Sequence, residues 1–90
     1  MVILVKYING KTINYTSFDD ITNGENIIEV DCSYIYGNQL TKLPVDLGSN
    51  WTNLQEFRCG GNQLTELSKD FGSNWTNLKY FRCDGNELTE

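Results

Sequence analysis

Three thiols, Cys32, Cys59 and Cys83, are the side chains of this chain best suited to chemistry. A thiol can hold a soft metal, act as a nucleophile or close a disulfide, and each use needs companions. Metal sites built on cysteine use C-x-x-C spacing or add histidine, and this sequence has neither. A nucleophilic thiol needs a base, and with no histidine the commonest one is missing. An odd number of cysteines argues against a secreted disulfide framework. Each cysteine instead follows an alternating stretch (Val30-Asp31-Cys32, Phe57-Arg58-Cys59, Phe81-Arg82-Cys83), where it reads as a small buried apolar residue. No Gly-Lys-Ser/Thr phosphate loop is present either. The expectation is a protein that is not an enzyme and carries no cofactor or metal.

The elements that position these residues come from a repeat. Leu47–Leu54 reads LGSNWTNL and Phe71–Leu78 reads FGSNWTNL, so Trp51 to Trp75 is 75 − 51 = 24 residues. The same offset links Cys59 to Cys83, Asn62 to Asn86 and Leu64 to Leu88. Phe57 and Cys59 alternate with Arg58, the period of a short strand with its apolar side inward. Asn62 and Asn86 fall where the strand must turn, and an asparagine there can satisfy backbone groups that the turn leaves unpaired. Phe71 and Trp75 lie four apart, which predicts a return segment with a single helical turn. An earlier unit, Ile27-Ile28-Glu29-Val30-Asp31-Cys32, aligns by its cysteine at the cost of three extra residues before Asn38, because 59 − 32 = 27. The insertion carries Tyr34 and Tyr36 in a bulged turn.

The units Leu54–Leu64 and Leu78–Leu88 fit the pattern L-x-x-L-x-L-x-x-N/C-x-L, with Phe at the second leucine position and Cys at the third. The chain therefore resembles the leucine-rich repeat family, with 24-residue repeats, over residues 27–90. The resemblance implies an α/β fold: a short solenoid of parallel strands with irregular or short-helical returns, in about three units of which the last is incomplete. Residues 1–26 form a separate N-terminal lead. There Val2–Ile8 and Lys11–Thr16 flank Asn9-Gly10, a strong hairpin signal, and the hairpin would cap the first repeat. No such cover follows the last unit, so a monomer with an open C-terminal edge, or a homodimer closing that edge, is expected.

The resemblance also implies that outward strand positions line a concave binding surface. By register these are Glu29, Glu56 and Tyr80 in one column and Asp31, Arg58 and Arg82 in the next, with Ile28, Gln55 and Lys79 beside them. The expected partner-binding residues are Glu56, Arg58, Tyr80, Arg82 and Lys79, joined by Tyr34 and Tyr36 of the insertion, since Tyr and Arg dominate interface hot spots. The alternative for these columns is a solvated sheet with surface ion pairs of about 0–1 kcal/mol each.

Composition narrows the partner. The formal net charge is −5 and no basic run occurs, which argues against nucleic acid and acidic membranes. The longest apolar opening, Val2–Val5, is too short for a signal-peptide core or a membrane span. A cytoplasmic protein that binds another protein is the reading these features favour. Two other classes fit: a small acidic viral or phage-type inhibitor that blocks the basic groove of a host nucleic-acid enzyme, or a structural repeat fragment without its own ligand.

Overall fold

The computed structural model describes residues 1–33 and 38–88. Five strands form one sheet: β1 (Ile3–Tyr7), β2 (Thr12–Tyr15), β3 (Ile27–Asp31), β4 (Glu56–Arg58) and β5 (Tyr80–Arg82), in the spatial order β2-β1-β3-β4-β5. β1 runs antiparallel to both β2 and β3, whereas β3, β4 and β5 run parallel. Two single 3-10 turns, Phe18–Asp20 and Gly24–Asn26, lead into β3, and no α-helix occurs among the described residues.

This architecture corrects the expected fold. The molecule is a small mixed sheet of 35 × 26 × 22 Å, not an α/β leucine-rich-repeat solenoid. The physical reason lies in the hairpin. β1 does not sit over a repeat array as a cap; it pairs along its length with β3, and Ile3, Val5 and Tyr7 enter the same apolar core as Ile27, Val30, Phe57 and Leu64. One shared core, rather than a file of units touching only their neighbours, holds the chain. The sheet neither closes nor curls, so its outer side is an open face and not the concave one expected.

The expected helical turn in the returns is also absent. The segment before β4 is a run of tight turns, in which Leu47, Ser49, Trp51 and Leu54 donate their N–H groups to the carbonyls three residues earlier. Gly48 (φ 69°) and Gly72 (φ 75°) break any helix there, because their backbone is left-handed. A Cβ on Gly48 would stand 2.4 Å from the Trp51 ring.

These turns carry the aromatic layer against the sheet. Trp51 and Trp75 stack at 5.8 Å, Phe57 packs at 4.9 Å on Trp75, and Phe71 meets Trp75 edge-on at 5.0 Å. Aromatic rings supply large buried area for their number of rotors, which suits a chain this short.

Asparagines, buried at Asn38 and Asn62 and half-buried at Asn86, pin the strand ends. Asn62 Nδ2 donates to the Cys59 and Cys32 carbonyls at 2.9 and 3.1 Å, and its Oδ1 accepts from the Leu40 N–H at 2.8 Å. Asn86 repeats this with Cys83, Cys59 and Leu64. Asn38 turns the same device on β1: its side chain bonds both the N–H and the C=O of Val2.

Candidate functional site

The pairing of the strands lays two rows of side chains across the outer face. Glu29 stands opposite Glu56 and Glu56 opposite Tyr80; Asp31 stands opposite Arg58 and Arg58 opposite Arg82. The offset of 58 − 31 = 27 is the cysteine-anchored register, so the insertion lies between β3 and Asn38. The rows continue onto the hairpin, because Lys6 is opposite Glu29 and Thr12, and Leu4 is opposite Asp31 and Asn14. One row therefore reads Thr12, Lys6, Glu29, Glu56, Tyr80, and the other Asn14, Leu4, Asp31, Arg58, Arg82.

Why these side chains face outward follows from the strand period. On β1, Ile3, Val5 and Tyr7 are buried and Lys6 is exposed; on β4, Phe57 is buried between Glu56 and Arg58. On β5 all three residues are exposed, because no further strand covers that edge among the described residues.

Charge is arranged in blocks. Glu29, Asp31 and Glu56 form an acidic centre with Lys6 on one side and Arg58 and Arg82 on the other. Arg58 Nε pairs with the Glu56 carboxylate. That hydrogen bond is the main cause holding the Arg58 guanidinium pKa above its ordinary value, with Asp31 and Glu29 adding to it. Arg58 is well exposed, so the pair contributes about 0–1 kcal/mol. The pair sets the guanidinium beside the Glu56 carboxylate on β4. Between β1 and β4 the face dips into a groove of ≈ 250 Å³, with Leu4 as its apolar patch and Lys6, Glu29, Asp31 and Arg58 on its walls.

The structure thus brings Glu56, Arg58, Tyr80 and Arg82 together on one face. Lys79 falls outside the two rows: it precedes β5, and its N–H donates to the Gln55 carbonyl at 2.8 Å. Tyr34 and Tyr36 lie outside the described residues. Leu4, Lys6 and Thr12 were missed by the repeat reading, since they belong to the hairpin. The alternation in Ile3-Leu4-Val5-Lys6-Tyr7 marks which of them face out, but not which strand they lie beside.

The thiols take no part in this face. Cys32 and Cys59 are fully buried and unpaired, on the core side of the sheet. Burial is the main cause that pushes the Cys59 thiol up to about 12, and it drives Cys32 higher still. The Cys32 thiol donates to the Arg58 carbonyl at 3.4 Å. Thiols held protonated in this way are poor nucleophiles and poor metal ligands. Among the described residues no group of three or more His, Cys, Asp and Glu side chains could hold a metal ion.

The chain matches no protein-family model and no curated protein. Nothing among these comparisons supports the leucine-rich-repeat resemblance. Among the described residues no helix is long and apolar enough to cross a membrane.

Proposed function

We propose that this protein is a non-enzymatic recognition module that binds another protein through the outer face of its sheet. The observation that carries the reading is the face itself. Two rows of side chains cross all five strands, with an acidic centre, cationic flanks, an apolar notch at Leu4 and an exposed tyrosine at Tyr80. Blocked charge of this kind selects partners by complementarity and by rejecting like charge. A partner that presents a cation to Glu29 and Asp31 and a carboxylate to Arg58 and Arg82 fits the pattern. The buried, protonated thiols support the non-enzymatic part of the reading, and three unpaired cysteines suit a reducing compartment such as the cytoplasm.

The test removes the central ion pair as a unit. Glu56→Ala/Arg58→Ala leaves neither charge orphaned, and both residues lie on the solvent side, so the fold is expected to survive with a stability change within about 0.5 kcal/mol. Proteins retained by the immobilised native chain are identified, made separately and titrated against native and variant chains. A partner whose affinity falls about a hundredfold or more, toward a fold that circular dichroism shows intact, supports the assignment. Equal binding by both chains overturns it.

A further inference from the structure

We infer that the outer edge of β5 is a self-complementary interface, and that two copies of this chain pair there through an antiparallel two-fold ladder centred on Phe81. The inference goes beyond the proposed face: it concerns the backbone rim of the sheet, and it shares with that face the side chains of Tyr80 and Arg82.

The ladder between β4 and β5 decides which backbone groups are free. The Lys79 and Tyr80 N–H groups both donate to the Gln55 carbonyl, and the Cys59 N–H donates to the Arg82 carbonyl at 2.9 Å. In a parallel ladder a residue directs its N–H and C=O to the same neighbour, and its flanking residues direct theirs to the other side. Tyr80 and Arg82 thus face β4, and the N–H and C=O of Phe81 face away from it. The 24-residue repeat gives the rest. Gln55 C=O and Cys59 N–H are the groups that β4 offers to β5, so Lys79 C=O and Cys83 N–H are the groups that β5 offers to its open side.

This set of donors and acceptors is its own complement. With Phe81 opposite Phe81 of a second copy, the pair exchanges both N–H···O=C bonds. Lys79 C=O then meets Cys83 N–H of the second copy, and the reverse, because 79 + 83 = 81 + 81. Every free strand group named above finds a partner. The side chains agree with the register. Tyr80 falls directly opposite Arg82 of the second copy, at the close spacing of about 4.5 Å between Cα atoms that non-hydrogen-bonded pairs adopt. A guanidinium over a tyrosine ring is attractive, and two such pairs form about the axis. They also draw each Arg82 away from its own neighbour Arg58, a like-charge pair across β4 and β5.

The apolar surface points the same way. On the core side Phe81 is 38% exposed, against 0% for its counterpart Phe57, which β5 covers. Below it lies an apolar groove of ≈ 280 Å³ lined by Leu67, Phe71, Trp75, Leu78 and Phe81. The Ser68 hydroxyl is buried beside that groove without a hydrogen-bond partner. An open strand with free backbone groups and an apolar flank is a template for pairing; among the described residues this edge has no proline, bulge or inward charge, and its three-residue length and the charges of Lys79 and Arg82 limit how far the ladder can extend.

Two measurements test the inference on the intact chain. Sedimentation over a wide concentration range is expected to show a monomer–dimer equilibrium. Tyr80→Arg, which sets arginine against Arg82 of the second copy, should raise the dimer dissociation constant about tenfold or more. Tyr80→Arg/Arg82→Glu, which restores attraction across the axis, should recover it. Register is read by oxidation in a Cys83→Ser background. A mixture of Tyr80→Cys and Arg82→Cys chains should form an intermolecular disulfide, since their Cα atoms fall within bridging range, while each chain alone should not. A mass that stays monomeric at every concentration overturns the inference. Association unmoved by Tyr80→Arg, or cross-linking as strong in the single chains as in the mixture, overturns it equally.

Discussion

Asn62 is a buried residue on which several backbone groups converge. Its buried amide satisfies the carbonyls of Cys32 and Cys59, just past the ends of β3 and β4, and the N–H of Leu40, so no apolar replacement can fill the site without orphaning them. Asn62→Ala should cost about 3 kcal/mol or more, measured as a shift in the urea midpoint. Asn86 makes the same contacts at a partly exposed end, where water can replace the lost amide, so Asn86→Ala should cost about half as much. Ser68 offers the opposite sign. The position 24 residues earlier is Pro44, and both residues accept at their carbonyl from the N–H three positions on. Ser68→Pro should raise the unfolding free energy by about 1 kcal/mol by stiffening the unfolded chain and removing an orphaned hydroxyl. An unchanged or lowered melting temperature would show that the two turns are not equivalent.

At the scale of elements, the glycines separate strain from crowding. Gly10 (φ 90°) closes the hairpin with open space around a would-be Cβ, whereas Gly48 (φ 69°) has the Trp51 and Trp75 rings within 3 Å. Gly10→Ala should therefore cost about 1 kcal/mol of backbone strain. Gly48→Ala, which must also displace the tryptophan stack, should cost about 3 kcal/mol, with a changed near-ultraviolet dichroism that Gly10→Ala lacks. These positions also mark how far the sequence could be read. Asn9-Gly10 announced the hairpin, the alternation around Phe57 and Phe81 announced the strands, and the repeated asparagines announced the turns. The four-residue spacing of Phe71 and Trp75 misled, because periodicity counts apolar residues and is blind to a left-handed glycine between them. More costly to the reading was the pairing of β1 with β3. Nothing local in Ile3–Tyr7 specifies its second neighbour, so the sequence alone does not distinguish a cap over a repeat from a strand that joins the sheet. The outer rows on β4 and β5 followed from the repeat; their extension through Lys6 and Leu4 required the pairing to be seen.

For the molecule as a whole, one core joins hairpin and repeats, so groups buried far apart should report one unfolding event. Tyr7, Cys32 and Cys59 are all held protonated in the folded state, by burial above all, and for Tyr7 also by the Tyr15 hydroxyl. Their folded pKa values are raised, so the stability they contribute is complete below the ordinary pKa values and is lost as pH rises toward the folded ones. For Cys59 that window opens near the ordinary 9.0 and closes at about 12. The urea midpoint should be level up to about pH 8 and fall steadily above about pH 9. Cys59→Ala should show a shallower fall than the native chain. A midpoint that rises with alkaline pH, or a slope indifferent to the substitution, would contradict this placement of the thiols.

The order of the strands has a consequence for how the chain is made. After the hairpin, each strand lies beside one that precedes it in sequence: β3 on β1, β4 on β3, β5 on β4. Each asparagine reaches back to carbonyls of residues already emerged, Asn38 to Val2, Asn62 to Cys32 and Asn86 to Cys59. A nascent chain leaving the ribosome therefore never has to hold a strand in waiting for one not yet translated. The sheet can grow in the direction of synthesis, each increment of 27 and then 24 residues docking on a finished edge and being latched by its own asparagine, with a single strand edge exposed at the growing side at any moment.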